Sequence, residues 1–275
     1  RYTLLTPPGL AELIATSPGD GWTSVEDGGV HVFAYEARDV PPIAQEPASP
    51  GAAERYRYLG VSTYRSWDAL ADWYWNLVRG QLTLSPEIEE VVASLPRAAP
   101  TREALVEAVH AWVVRNIRYV GLEFGIHGFR PYRTTDSFGR RFGDCKDTAS
   151  LIKVMLDHAG IPTHLVLIRT SDLGRVRDFP PSLALFNHAI AYVPEFDMYL
   201  DGTAAFSGAR ELPTADQGAS AVIVRDGRGG DFVTTPVLPA AASTSRSVVA
   251  IDMRTPERVA TTDQIGRAHV RTPAT

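Results

Sequence analysis

The single cysteine of the chain stands where a helical pattern begins, in the segment GDCKD at residues 143–147. A thiol is mostly protonated near neutral pH, and only the thiolate is a strong nucleophile. The free backbone N–H groups and the dipole at a helix N-terminus favour that anion, and the same amides can bind an oxyanion. Gly143 permits a close approach, Asp144 can cap the helix, and Cys145 then falls in its first turn. The position suits a nucleophile, and it equally suits a small buried side chain that fills a gap in the core.

A nucleophilic thiol needs a base, and seven histidines compete for that role. His158 lies near the far end of the same predicted helix, about 20 Å along its axis from the cysteine, and His164 begins the strand that leaves that end. Both are therefore excluded as partners of Cys145. His127 stays open, because it lies in the long loop before the cysteine. His188 begins an alternating segment, HAIAYV, from which its side chain can project over a cleft.

An acid for the base is available in the segment YLDGT, which contains Asp201. Two antiparallel strands joined by the turn PEFDM would bring His188 and Asp201 side by side. A carboxylate beside an imidazole fixes its tautomer and stabilises the imidazolium. Taken alone, an aspartate before Gly202 is more typical of a turn.

The spacing of apolar residues predicts the elements that position these side chains. Ser66 and Thr101 are typical helix N-caps that precede helical patterns. His110 lies off the apolar stripe of the helix after Thr101 and is expected at the surface. Segment 121–138 has three glycines and a proline and is expected to be a long loop. We predict helices over residues 66–78, 85–95, 101–120 and 144–158, and strands over residues 30–40, 56–63, 163–170, 187–193, 198–203, 220–227 and 246–254.

Composition excludes several classes of function. The net charge of -5 and the pI near 5.8 give no basis for binding nucleic acid. One cysteine excludes an intrachain disulfide and disfavours structural zinc, which draws several Cys and His ligands at short spacing. No apolar run reaches the roughly 18 to 20 residues that span a bilayer. The chain opens at Arg1 without a signal peptide, and we expect it to be a piece of a longer protein, with the periplasm or cell envelope favoured over the cytoplasm.

Three segments in order resemble the bacterial transglutaminase-like superfamily, whose core is related to papain-type cysteine proteases. They are RFGDCKDTASLIKVMLDHAGIPTHLVLIRT, FNHAIAYV and YLDGTA. The resemblance covers about residues 64 to 205 and implies an α+β fold, with helices packed on an antiparallel sheet. The division that it implies is the end of an N-terminal β-rich domain (1–60), a catalytic core (61–219) and the start of a C-terminal β-rich domain (220–264). Residues 265–275 resemble a translated sequencing adapter, and we exclude them from the fold.

The resemblance also assigns roles. Cys145 matches the nucleophile, His188 the general base and acid, and Asp201 the orienting acid. The backbone amide of Cys145 is the expected first oxyanion donor, and Tyr132 and Asn187 are candidates for the second. Lys146 and Asp147 match the family pattern CKD, although Asp147 may be read simply as support for the helix N-terminus. No cofactor and no metal is expected.

The resemblance implies acyl transfer through a thioester on an amide or peptide carbonyl of a protein or peptide substrate. Water then resolves the intermediate in a protease or amidase, and an amine resolves it in a transglutaminase; we favour hydrolysis. The alternative is a binding or scaffold module that keeps the fold without catalysis. A metal site built from Asp144, Cys145, Asp147 and His158 fails, because His158 lies at the opposite end of the helix.

Overall fold

The computed structural model describes residues 1–7, 10, 13–16, 21–44, 46–47, 49–95, 101–176, 178–239, 245–252 and 259–266. Helices and strands occur in separate runs along it, in an α+β arrangement. The helices are α1 (Ala52–Arg55), α2 (Trp67–Val78), α3 (Pro86–Ser94), α4 (Arg102–Asn116), α5 (Thr134–Arg140) and α6 (Cys145–His158). The strands are β1 (Tyr2–Thr6), β2 (Leu13–Thr16), β3 (Trp22–Asp27), β4 (Val30–Tyr35), β5 (Leu59–Ser62), β6 (Arg118–Tyr119), β7 (Phe142–Gly143), β8 (His164–Arg169), β9 (His188–Val193), β10 (Met198–Leu200), β11 (Ser220–Val224), β12 (Gly230–Thr234), β13 (Ser245–Asp252) and β14 (Val259–Gly266).

A five-stranded antiparallel sheet, in the order β10-β9-β8-β11-β12, forms the centre of the fold. Strand β8 pairs with β9 on one side and with β11 on the other, and all five residues of β11 are buried. Successive side chains of a strand point to opposite faces. Leu165 and Leu167 accordingly join the cluster formed with α2, whereas Val166 and Ile168 join a cluster on the other face.

Helix α6 is the central helix of the fold, because its residues from Cys145 to Leu156 are all buried. Leu151, Ile152 and Met155 pack with α3, α4, β9 and β10 in the largest apolar cluster. Ala149 instead contacts the cluster that α2 makes with β8 and β11. Helix α6 is thus held between α2, α3, α4 and the sheet, which fixes the position of its N-terminus.

Smaller sheets flank this core. Strands β1, β4 and β3 form a three-stranded antiparallel sheet, and β2 pairs with β5. Gly28 and Gly29 join β3 to β4 with positive φ angles of 58° and 79°, as a two-residue hairpin turn requires. Strands β13 and β14 form a separate hairpin.

Several predicted elements differ from the structure. Helix α4 ends at Asn116, and segment 121–138 is not wholly a loop, since α5 begins within it at Thr134. The division expected at residue 220 is corrected, because β11 begins there and lies inside the five-stranded sheet. Of the segment assigned to an adapter, residues 265–266 end β14, and the rest lies outside the described residues.

Candidate active site

Cys145 is the first residue of α6, and Asp144 is the N-cap. The Asp144 carboxylate accepts hydrogen bonds from the backbone N–H groups of Lys146 (3.1 Å) and Asp147 (3.3 Å). In turn, Asp147 Oδ2 accepts a hydrogen bond from the backbone N–H of Asp144 at 3.1 Å. This capping box satisfies two N–H groups of the first turn and leaves the amide of Cys145 outside it. The thiol is free and its residue is only 5% exposed.

A buried network of charges holds the segment around the cysteine. The Lys146 ammonium lies 2.6 Å from Asp144 Oδ2, and Arg140 lies 3.0 Å from Asp147 Oδ2. The Tyr132 N–H donates to Asp147 Oδ1 at 2.8 Å. Burial, and then the charge of Asp144, raise the pKa of Asp147 above its usual value. The pattern CKD therefore serves mainly to fix the helix start, as the simpler interpretation of Asp147 expected.

Gly143 is required by close packing in front of the cysteine. A Cβ added there would lie 2.6 Å from the Cβ of Asp147. Real Cβ atoms do not approach so closely, and the capping box would have to open to admit one. The glycine thus allows β7 to run directly into α6.

His188 and Asp201 meet at the edge of the central sheet. His188 is the first residue of β9, and Asp201 directly follows β10, which pairs with β9. His188 Nε2 lies 3.4 Å from Asp201 Oδ1, which also accepts hydrogen bonds from the N–H (2.8 Å) and hydroxyl (2.7 Å) of Thr203. The two antiparallel strands bring the His188 imidazole and the Asp201 carboxylate together.

The electrostatics of this pair favour an imidazolium. Burial lowers the pKa of His188, but hydrogen bonds to Asp201 and Cys145 and the charges of both outweigh it and raise the pKa to about 10. Burial raises the pKa of Asp201, yet the hydrogen bond to His188 and those from Thr203 bring it below its usual value. With Nε2 directed at Asp201, Nδ1 is the ring nitrogen left for the sulfur. The structure thus brings Cys145, His188 and Asp201 into one interacting group.

A cavity of about 110 Å³ opens at Cys145 and His188. Its wall combines apolar and polar groups, and Glu123 and Lys146 add charge. The apolar and aromatic residues that line it are Tyr74, Phe129, Leu167, Leu183, Phe186 and Ala189. Phe124, beside Glu123 in the preceding segment, is 78% exposed. The cavity can admit a carbonyl group to the sulfur, with apolar surface on either side.

Tyr74 is a residue of this site that sequence reasoning missed. It lies in α2, is 2% exposed and lines the cavity. Burial, followed by the charge of Cys145, raises the pKa of its hydroxyl above the usual value. The hydroxyl therefore stays protonated. Its contribution to the helical pattern over residues 66–78 gave no signal of such a role.

His110 corrects another expectation, because it is buried rather than at the surface. Its Nε2 donates to the backbone oxygen of Asp201 at 2.8 Å. Burial lowers its pKa, so the ring is neutral near pH 7. The apolar stripe of α4 runs through Val106, Val109 and Val113, and His110 lies on it. The sequence held this signal, since His110 follows Val106 by four residues and precedes Val113 by three.

The candidates for a second oxyanion donor make other contacts. The Asn187 side chain accepts from the Thr170 N–H at 2.9 Å and donates to the Thr170 hydroxyl at 2.8 Å, although Asn187 borders the cavity. The Tyr132 ring stacks on His127 at 3.8 Å between centroids. His127 Nδ1 is hydrogen-bonded to the backbone oxygen of Arg130, so the alternative base is held in a different contact.

The remaining histidines near α6 lie away from the site. His158 is the last residue of the helix, opposite Cys145, and His164 lies 3.7 Å from Asp226. Asp216, in contrast, lies beside the interacting group. One ligand-type atom from each of His188, Asp201 and Asp216 lies within 4.8 Å of the others. Among the residues that the structure describes, these three alone form a group whose donors suit a metal ion.

Comparison with known proteins agrees with this fold. The sequence profile of the Transglutaminase-like superfamily matches residues 89–194. The structure of a proposed protease from Parabacteroides distasonis superposes with a TM-score of 0.66 at 17% identity, covering 90% of this chain and 49% of that chain. A proposed cysteine protease from Cytophaga hutchinsonii gives a TM-score of 0.34 at 13% identity, with 99% and 82% covered.

No curated protein gives a significant match. The chain spans about half the length of the Parabacteroides protein, and at these identities the structural likeness concerns the fold alone. None of the described helices is both long and apolar enough to cross a membrane. The resemblance and the α+β fold predicted from the sequence are confirmed, with residues 89–194 matching the transglutaminase-like superfamily.

Proposed function

We propose that this chain is a cysteine-dependent acyl-transfer enzyme acting on amide or peptide carbonyls, with Cys145 as nucleophile, His188 as base and acid, and Asp201 as the orienting group. The observation that carries the proposal is the interaction of His188 with both Cys145 and Asp201 at the mouth of a cavity. The raised pKa of His188 supports an imidazolium held between Asp201 and Cys145.

The first half of the reaction forms a thioester. The thiolate attacks the carbonyl carbon, and the carbonyl oxygen becomes an oxyanion beside the start of α6. The amide N–H of Cys145 is the first donor to that oxygen. Tyr74 is the second in this proposal, in place of Tyr132 and Asn187. The tetrahedral intermediate then collapses, the C–N bond breaks, and His188 gives its proton to the departing amine.

The second half returns the enzyme to its resting state. Neutral His188 takes a proton from water, the resulting hydroxide attacks the thioester, and the carboxylic acid product leaves with the C–S bond broken. An amine in place of water would give a new amide. We favour hydrolysis, as in a protease or amidase, and a protein or peptide as substrate. The Parabacteroides distasonis protein is described as a protease, which agrees with this choice.

Alkylation tests the proposed nucleophile directly, because the chain has one cysteine. Iodoacetamide should label wild-type Cys145 quickly at pH 6, where an ordinary thiol reacts slowly. His188→Ala should slow the labelling at least tenfold. His158→Ala is the matched control, since that histidine is exposed on the same helix, and it should leave the rate unchanged. Equal rates in all three proteins would favour a scaffold module without catalysis.

Turnover is tested with a mixture of labelled peptides, with and without a fluorescent primary amine. Cys145→Ala should abolish product formation and keep the thermal unfolding temperature within about 4 °C, because one small side chain is lost. Free carboxylate product indicates hydrolysis, and incorporation of the amine indicates transamidation. Product formation by Cys145→Ala at the wild-type rate would refute the mechanism.

A further inference from the structure

A second buried carboxyl group lies beside the Asp201–His188 pair. Asp216 precedes β11, is 2% exposed, and its Oδ2 has no hydrogen-bond partner. The backbone of this segment is fixed, since the Thr235 hydroxyl donates to the Asp216 carbonyl and accepts the Ala219 N–H at 2.9 Å. A buried polar atom without a partner is costly, so its presence next to the active site requires an explanation.

A proton between the carboxyl groups of Asp216 and Asp201 would explain the unpaired oxygen. An ionised carboxylate only accepts, and two of them facing each other in a buried place repel. Asp201 Oδ1 already receives three donors, from His188 and Thr203, which hold Asp201 in the ionised form. The proton therefore belongs on Asp216.

We propose that Asp216 is a positioning residue that donates a hydrogen bond from its protonated carboxyl group to Asp201 and so fixes the carboxylate that orients His188. This inference rests on the proposed function, since it gives Asp216 a part in the same group. The charged groups that act on Asp216 are the His188 imidazolium and the Asp201 carboxylate. Burial, together with Asp201, raises the pKa of Asp216 to about 7, against the opposing effect of His188.

A bound divalent cation would be the other way to satisfy the unpaired oxygen. It would have to take the place of the contact between His188 Nε2 and Asp201 Oδ1, which are 3.4 Å apart. The raised pKa of His188 also opposes it, because a metal requires the neutral ring. The shared proton keeps every contact that the structure shows.

The carboxyl proton is tested by ¹³C NMR of the full chain labelled at aspartate carboxyl carbons. Wild-type protein should show one resonance that titrates near pH 7, and Asp216→Asn should lack it. A wild-type spectrum with no aspartate resonance titrating above pH 6 would overturn the proposal. So would a titration curve that changes when EDTA is added, because that result would indicate a bound cation.

The positioning role is tested by the alkylation rate of Cys145 at pH 6. Asp216→Asn keeps an N–H donor of the same shape and should stay within twofold of wild type. Asp216→Ala removes the donor to a charged acceptor and should slow labelling about tenfold. Equal rates for the Asn and Ala variants would contradict the positioning role. His188→Ala separates the two proposals: if it labels as fast as wild type, the proposed function itself fails, whatever Asp216 does.

Discussion

The buried Lys146–Asp144 pair permits a stability prediction whose size follows from the contacts. Asp144→Ala removes the N-cap acceptor of α6, which costs about 1 kcal/mol. It also leaves the Lys146 ammonium unpaired, with a side chain only 7% exposed, and breaking a buried pair in this way costs about 3 to 5 kcal/mol. The sum of about 4 to 6 kcal/mol is close to the whole stability of a marginal domain.

The two contributions can be separated by removing the cation as well. Asp144→Ala combined with Lys146→Met leaves no unpaired charge, so only the lost cap of about 1 kcal/mol should remain. Asp144→Asn combined with Lys146→Met keeps a good N-cap residue and should lie within about 1 kcal/mol of wild type. Urea unfolding followed by tryptophan fluorescence gives the free energies, provided that the m-value is unchanged. If the Ala–Met double variant is as unstable as Asp144→Ala, the unpaired lysine is not the cause and the reasoning is refuted.

Three further predictions concern the walls of the site. Tyr74→Phe should lower kcat about 10² to 10³-fold with little change in KM, because one oxyanion donor is lost; a normal kcat would exclude Tyr74 from that role. Gly202→Ala should destabilise the fold by about 1 to 3 kcal/mol in thermal unfolding, since the new Cβ would lie 2.8 Å from Thr148 Cβ and 3.0 Å from Ile152 Cδ1. His188 has a folded-state pKa of about 10 against an ordinary 6.5, so its stabilisation is full below pH 6.5 and disappears as pH rises to about 10. Unfolding free energies of wild type and His188→Gln should therefore converge over that range, and a constant difference would contradict the shift.

The three residues of the proposed triad were predictable because each belongs to a local pattern. Cys145 follows a capping aspartate and a glycine, His188 begins an alternating strand, and Asp201 directly follows the next one. Their roles came from the resemblance of three segments in order, while their geometry follows from antiparallel pairing of β9 and β10. The local sequence thus indicated that each of these three residues lies at the end of a helix or strand.

The supporting residues were not predictable in the same way. Tyr74 occupies an ordinary position in an amphipathic helix, and only the packing of α2 against β8 and β11 brings it to the cavity. Asp216 lies in a short segment without a motif, and it reaches Asp201 because β11 joins the central sheet. The contacts of Tyr74 and Asp216 depend on long-range packing, which periodicity does not encode. His110 differs, because its spacing from Val106 and Val113 places it on the buried stripe of α4.

The difference between local and long-range contacts affects how the site is stabilised. The start of α6 is fixed by its own capping box and by the burial of the helix between α2, α3, α4 and the sheet. Asp201, however, follows a three-residue strand at the edge of the sheet, and a short edge strand alone holds a side chain poorly. His110 holds its carbonyl oxygen, and Thr203 and His188 hold its carboxylate. Asp201, the proposed orienting acid, therefore depends on contacts from separate parts of the chain, and loosening any of them should disturb His188 before it disturbs Cys145.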